Sequence, residues 1–310
     1  MASLIICDRP GRMGNLLLVY THLAAFALEH DLTLLNPAFA LYQSYFVGSQ
    51  HQYVPWIARS CPSLTGEEAC SQSGLYHRRL SHPLFGRLAF FIAHSALRLL
   101  RTSSLQLPPL ATYISLNWDS SLDLDRTTSC HFQSMVTLLG GWLFRCNNLV
   151  AKHKTQLLLY FKPLPIYRRQ AEDIVGILRA ASDQALLVGV HIRLGDYRTF
   201  QEGRYLYDLN VYARYMDELR LRLNRSVSFI IVSDEIIDPA FLKLSAASFS
   251  GGSQIVDMIV LSMCDAVIGP PSTFSYFAST FWGGNHLHHI TDPCQGIPDA
   301  FVNSILSSAN

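Results

Sequence analysis

Hydrophobic positions follow two patterns along this chain: short unbroken apolar runs, and longer stretches whose apolar residues return every three or four positions. The first pattern marks buried strands and the second marks helices with one covered face. Near the N-terminus an apolar run at 4–6 (LII) leads through CDRPGRMGN into a Leu- and Ala-rich helix over 16–30. A second strand follows at 32–35 (LTLL). Strand, glycine-containing loop, helix and strand, in that order, make a parallel βαβ unit. Residues 41–150 show no comparable rhythm. They are rich in Ser, aromatic residues and proline, and QLPPL at 106–110 breaks whatever precedes it.

KPLPIYRR at 162–169 reads as a junction, because its two prolines interrupt regular structure. Beyond it the alternation is clean. Helix 169–181 is followed by strand 185–192 (ALLVGVHI). Helix 207–223 comes next, with Tyr212, Tyr215, Met216, Leu219 and Leu223 on one face. Strand 227–235 (VSFIIVSDE), helix 254–264, strand 265–269 (DAVIG) and a helix opening within PPSTFSYFASTFWGG complete the order. The pattern predicts an α/β protein of two doubly wound halves, residues 1–160 and 161–310.

Composition narrows the function classes. Of 310 residues, 49% are hydrophobic and only 15% charged, which fits a packed globular enzyme and excludes a disordered or solvating segment. A net charge of +1 leaves no footprint for nucleic acid. Seven cysteines, an odd number with no C-x-x-C pair, point to buried free thiols in a reducing compartment rather than a disulfide framework. The N-terminal residues lack a basic segment followed by a long apolar core, so a cytoplasmic protein is expected. Residues 84–101 (LFGRLAFFIAHSALRLLR) are apolar with basic residues at helical spacing. A core-packing helix with a basic outer face is the commoner use of such a segment, and peripheral contact with a membrane or a lipid-linked acceptor is the alternative.

The chemistry concentrates at strand ends, where open parallel sheets bind ligands. Three of these ends carry polar groups: HIRLGD at 191–196, SDE at 233–235 and GPPSTFS at 269–275. Arg193 offers a permanently charged fork of donors that matches phosphate oxygens. Ser272 and Thr273 stand where a helix begins, a place suited to an anion or to simple capping of that helix. His191 alone would be a core histidine and Asp196 a turn cap, but their company with Arg193 suggests an anion site. Asp123 and Asp125 have the spacing of a manganese-binding pair, yet they lie in a polar run and are expected to be solvated. The histidines at 286–289 lack supporting ligands, so no metal site is expected.

HIRLGDY at 191–197 resembles the H-x-R-R-x-D motif of the GDP-fucose-dependent fucosyltransferases, above all the family-11 α-1,2-fucosyltransferases. DMIVLSMCDAVIGPPSTFSYFAS at 257–279 and PGRMGNLLLVYTHLAAFALEHDLTLL at 10–35 are similar to two further motifs of that family. The resemblance implies a GT-B-like fold of two facing Rossmann-type domains with parallel sheets. The N-terminal domain would lie on the acceptor side and the C-terminal one would bind the nucleotide sugar. It places Arg193 on the β-phosphate, His191 and Asp257 at the nucleoside end, and Ser272 and Thr273 in the phosphate loop. Gly11, Gly14 and Asn15 fall in an N-terminal loop facing the cleft. Leu194 stands where the motif has its second arginine, and Pro271 replaces a polar residue.

The implied activity is metal-independent, inverting transfer of L-fucose from GDP-β-L-fucose to a glycan hydroxyl, α-1,2 to galactose, on an oligosaccharide or lipid-linked acceptor. No cofactor is implied beyond the GDP-fucose donor. Asp196 and Glu202 are the candidate general bases. The alternatives are transfer of another GDP-linked sugar and non-catalytic binding of a GDP-sugar.

Overall fold

The computed structural model describes residues 2–49, 56–57, 83–103, 109–128, 132, 134–181, 185–244 and 247–308. Cys61, Cys70, Cys130 and residues 106–108 of the proline stretch lie outside them. The chain divides into two units, Met1–Leu164 and Pro165–Asn310.

In the first unit the strands are β1 (Ser3–Ile6), β2 (Thr33–Leu35), β3 (Trp56–Ile57), β4 (Ala111–Ser115), β5 (Leu122–Asp123), β6 (Val136–Gly140) and β7 (Phe144–Arg145). The main sheet has the order β3-β2-β1-β6-β4 and is parallel except where β3 joins β2. β5 and β7 form a separate parallel pair. The helix after β1 begins at Met13 and runs to His30, so it starts earlier than the sequence pattern suggested. Gly14 and Asn15 therefore belong to its first turn and not to a loop. The start is hard to read in sequence because its cap residue, Arg12, makes no side-chain capping bond. The unpatterned middle contains the long helix Pro83–Ser103 and the strands β4 and β6.

In the second unit the strands are β8 (Leu186–Ile192), β9 (Val227–Ser233), β10 (Ala247–Phe249), β11 (Ala266–Gly269) and β12 (His286–His289). All pair in parallel in the order β10-β9-β8-β11-β12. This is the mixed α/β class with parallel sheets that the sequence predicts. Every residue of β8 is buried, which is why that run carries no alternation. Val188, Val190 and Ile192 pack on Tyr212, Tyr215, Met216 and Leu219 of the helix Leu209–Leu223, the face read from spacing.

Two elements differ from expectation. The helix expected from 169 starts at Pro165, inside the 162–169 segment where the two units divide, and a missing N–H costs nothing there. The helix after β11 is α-helical only over Thr273–Tyr276 and continues as a π-helical stretch over Phe277–Gly283. Among the described cysteines, Cys7, Cys146 and Cys264 are buried free thiols, whereas Cys294 is exposed.

Candidate functional site

The sheet register of the second unit brings the three polar strand ends together. Ile192 pairs with Ser233 of β9, and Val190 pairs with Ile268 of β11. The strand order runs outward in one direction through β9 and β10 and in the other through β11 and β12. The carboxyl ends of β8 and β11 thus form the switch point where open α/β sheets leave a crevice.

Arg193 is the first residue beyond β8, and its side chain is only 11% exposed. Its guanidinium pairs with the Asp196 carboxylate, and Nη1 lies 3.5 Å from Oδ2 of Asp234. The ring of Tyr197 lies 5.2 Å from the guanidinium carbon. Its Nε is buried and has no hydrogen-bond acceptor in the protein. Asp234, 12% exposed, holds the loop as well as the arginine. Its Oδ1 accepts the Leu194 N–H at 2.9 Å and approaches the Gly195 N–H at 3.4 Å. The loop is tied a second time by Arg198, which grips the Glu235 carboxylate with both terminal nitrogens. Leu194, at the position of the motif's second arginine, packs instead against the apolar core.

The β11 end meets this loop through Tyr197, whose hydroxyl donates to the Pro271 carbonyl at 2.5 Å. Ser272 caps its own helix, accepting the Phe274 N–H at 3.2 Å, so that donor is already taken. Thr273 is the first helical residue. Gly269 is required by close packing, because a Cβ there would lie 2.5 Å from the His191 carbonyl oxygen. His191 is buried, stacks on Phe274 at 5.2 Å, and leaves Nδ1 without a protein partner. Burial, reinforced by Arg193, pushes its pKa down to about 3, so the ring is neutral. His289, paired with Gly269 in the sheet, is lowered to about 4 by burial.

The other expected residues are placed differently. Asp257 sits on the helix Gln254–Ser262, which follows β10. Its carboxylate accepts the Ser250 hydroxyl at 2.5 Å, and burial raises its pKa to about 6. Asp196 is engaged by Arg193. Glu202 is exposed on the turn Phe200–Gly203, in a left-handed backbone conformation shared with Gln201. Gly11, Gly14 and Asn15 lie in the first unit. Gly11 takes φ +79°, and a Cβ there would lie 2.5 Å from the Asn15 amide nitrogen. Asp234 and Tyr197 are the residues that sequence reasoning missed. Their signals were the SDE strand end and the tyrosine closing HIRLGDY.

The first unit has a polar strand end of its own, between β1 and β6. Asp8 accepts the Gly141 N–H at 2.9 Å and lies 3.2 Å from His94 Nδ1. That nitrogen is also 3.1 Å from the Cys7 carbonyl oxygen, so with two acceptors facing it Nδ1 carries a proton and the ring is held in place. Asp123 and Asp125 are structural. Asp123 caps the turn Leu124–Arg126, and Asp125 accepts the N–H groups of Asn148 and Leu149. Among the described residues, no group of three or more His, Cys, Asp or Glu side chains is placed to hold a metal.

Comparison with known proteins agrees with this architecture. Residues 167–294 match glycosyl transferase family 11. No curated protein matches the chain. The fucosyltransferase NodZ from Bradyrhizobium has a similar fold at 14% identity and a TM-score of 0.51, over 95% of this chain and 97% of that one. Arabidopsis thaliana FUT1, solved with GDP, is similar at 13% identity and a TM-score of 0.50, over 92% of this chain and 70% of that one. These structural likenesses show a shared GT-B-like fold. The resemblance read from the sequence motifs is therefore carried by a family match over most of the second unit.

Proposed function

We propose that this chain is a GDP-fucose-dependent fucosyltransferase whose second unit holds the donor at the ends of β8 and β11. The observation that carries the reading is Arg193: a guanidinium nine-tenths buried at the switch point, with an unpartnered Nε and one exchangeable carboxylate partner. The family match over 167–294 and the NodZ and FUT1 likenesses support the choice of sugar nucleotide.

In this reading the β-phosphate takes the place of Asp196 on Arg193, while Asp234 keeps the guanidinium aimed. As the anomeric C–O bond breaks, charge grows on that phosphate, and a preorganised cation stabilises it more than it stabilises the bound ground state. Ser272, Thr273 and His191 line the same end and would contact the diphosphate or nucleoside. Asp257 would meet the base. The acceptor hydroxyl attacks from the opposite face, giving inversion without a metal and, in the family's manner, an α-1,2 linkage to galactose.

The first unit would receive the acceptor, on an oligosaccharide or lipid-linked glycan. The fixed Asp8–His94 pair supports that assignment, since an oriented imidazole can take up a hydroxyl proton. Rings of Trp118 and Trp142, 5.1 Å apart, add apolar faces against which a pyranose can pack.

Calorimetry with GDP and GDP-fucose, followed by transfer to galactose-terminated acceptors and assignment of the linkage, tests the proposal. Binding with transfer supports it. Binding with neither transfer nor hydrolysis selects the non-catalytic alternative, which the replacement of the second motif arginine by Leu194 favours.

A further inference from the structure

The helix Pro83–Ser103 has two faces of opposite kind. Its inner face is buried through Gly86, Ala93, Leu97 and Leu100, the last three in one cluster with Cys7 and Leu138. Its outer face was expected to be basic, with peripheral membrane contact as the alternative use of the segment. It also presents Phe85, Leu88, Phe91, Ile92 and Leu99, each between 43% and 68% exposed. Arg87, Arg98 and Arg101 are exposed as well. At about 100° of rotation per residue, the five apolar side chains occupy a sector of about 120° and the three arginines an adjoining sector of about 60°. The helix contains no aspartate or glutamate.

We propose that this outer face rests on the surface of an anionic phospholipid bilayer, with the helix lying in the plane of the interface. A row of large apolar side chains left in water is unusual for a soluble chain and marks a contact surface. The charge arrangement selects the partner. Arginines along one flank can run their stems beside the apolar row while their guanidinium groups reach headgroup phosphates, and no acidic side chain on the helix opposes the approach. A second copy of the same face would bring no carboxylate to meet those arginines. No described helix is long and apolar enough to cross a membrane, so the contact is peripheral. The inference stands apart from the fucosyl-transfer reading.

The test uses the full chain in flotation with vesicles of phosphatidylcholine alone or with about 30 mol% phosphatidylglycerol, a composition that supplies the anionic surface potential. Binding is expected to the anionic vesicles and to weaken with added salt. Each arginine near such a surface contributes about fivefold in binding. Replacing Arg87, Arg98 and Arg101 by Gln should therefore lower the partition coefficient by about a hundredfold. Phe91→Ser with Ile92→Ser should abolish it through the apolar term. These residues are exposed, so unchanged thermal unfolding should accompany both variants and separate loss of docking from loss of fold. Failure of the parent chain to float with anionic vesicles would overturn the proposal, as would variants that float as well as the parent. A parent chain that does not float but forms a dimer abolished by the Phe91 and Ile92 changes would assign the face to a second copy instead.

Discussion

Asp234 serves Arg193 with one oxygen and the loop that carries Arg193 with the other. Its Oδ2 lies 3.5 Å from Nη1 of the arginine, and its Oδ1 accepts the Leu194 N–H at 2.9 Å. One carboxylate thus fixes both the charge and the backbone that positions it. Asp196 pairs with the same guanidinium, and its side chain is 41% exposed. The two acids flank the same cation but are not equivalent, and the difference is measurable.

Replacing Asp196 by Asn removes a charged competitor for the guanidinium. GDP affinity should hold or rise in that variant. Asp234→Asn should lower it at least tenfold, because the backbone at 194–195 loses its charged acceptor, a bond typically worth about 1.5–3 kcal/mol. Calorimetric titration of GDP into both variants checks the contrast. Equal losses would show that the acids act alike.

Arg193→Ala should remove a charge-assisted contact to phosphate and lower GDP affinity by roughly tenfold to a hundredfold. It also leaves Asp234 nearly buried without its cation, so the thermal midpoint should fall in the absence of nucleotide. Arg193→Lys supplies the charge without the fork and should recover stability more than affinity. Paired melting and binding curves separate the two effects.

Asp257 makes the second unit sensitive to pH in a direction that can be worked out. Its folded pKa, about 6, lies above its ordinary 3.8 because burial disfavours the charge. Its contribution is therefore fully present below about pH 4 and is lost as pH rises through 6. That shift corresponds to about 3 kcal/mol. His191 and His289, depressed to about 3 and about 4, act oppositely: their stabilisation is present above their ordinary 6.5 and declines as pH falls. The unfolding free energy of the parent chain minus that of Asp257→Asn should thus fall between pH 4 and pH 7. A constant difference across that range would contradict the assigned pKa.

Gly269→Ala tests how tightly the switch point is packed. The added methyl would sit 2.5 Å from the His191 carbonyl oxygen, a backbone atom that can move only with β8. Destabilisation of about 1–3 kcal/mol is expected, as for other overpacked sites, with loss of GDP binding as the strand ends separate. A variant as stable as the parent chain, with unchanged affinity, would show that the strand ends yield easily.

How much of this was legible depended on whether the deciding interaction was local. The buried run of β8 and the polar group ending it could be read directly, because continuous Leu and Val followed by His, Arg and Asp are adjacent in sequence. The importance of Asp234 could not. It follows from the pairing of Ile192 with Ser233, a register across strands that no spacing encodes. Tyr197 was passed over for the same reason, since its partner, the Pro271 carbonyl, lies far away in the chain. Gly14 and Asn15 were misplaced because glycine was taken as a loop signal, while the true helix start carried no capping side chain. The π-helical stretch Phe277–Gly283 left no mark in the periodicity. The outer face of Pro83–Ser103 was misjudged because its apolar residues were assigned to a core that Ala93, Leu97 and Leu100 already complete.

The grouping of Arg193 with Asp196 and Asp234 has a kinetic consequence. One cation between two anions leaves the group with a net negative charge, so in the proposed reading a dianionic nucleotide is not drawn in from a distance. It must meet the loop by ordinary diffusion and then wait for Asp196 to swing aside. Capture should therefore be slow and quicken with added salt in stopped-flow mixing, and Asp196→Asn, which leaves the group neutral, should make it both faster and less salt-sensitive.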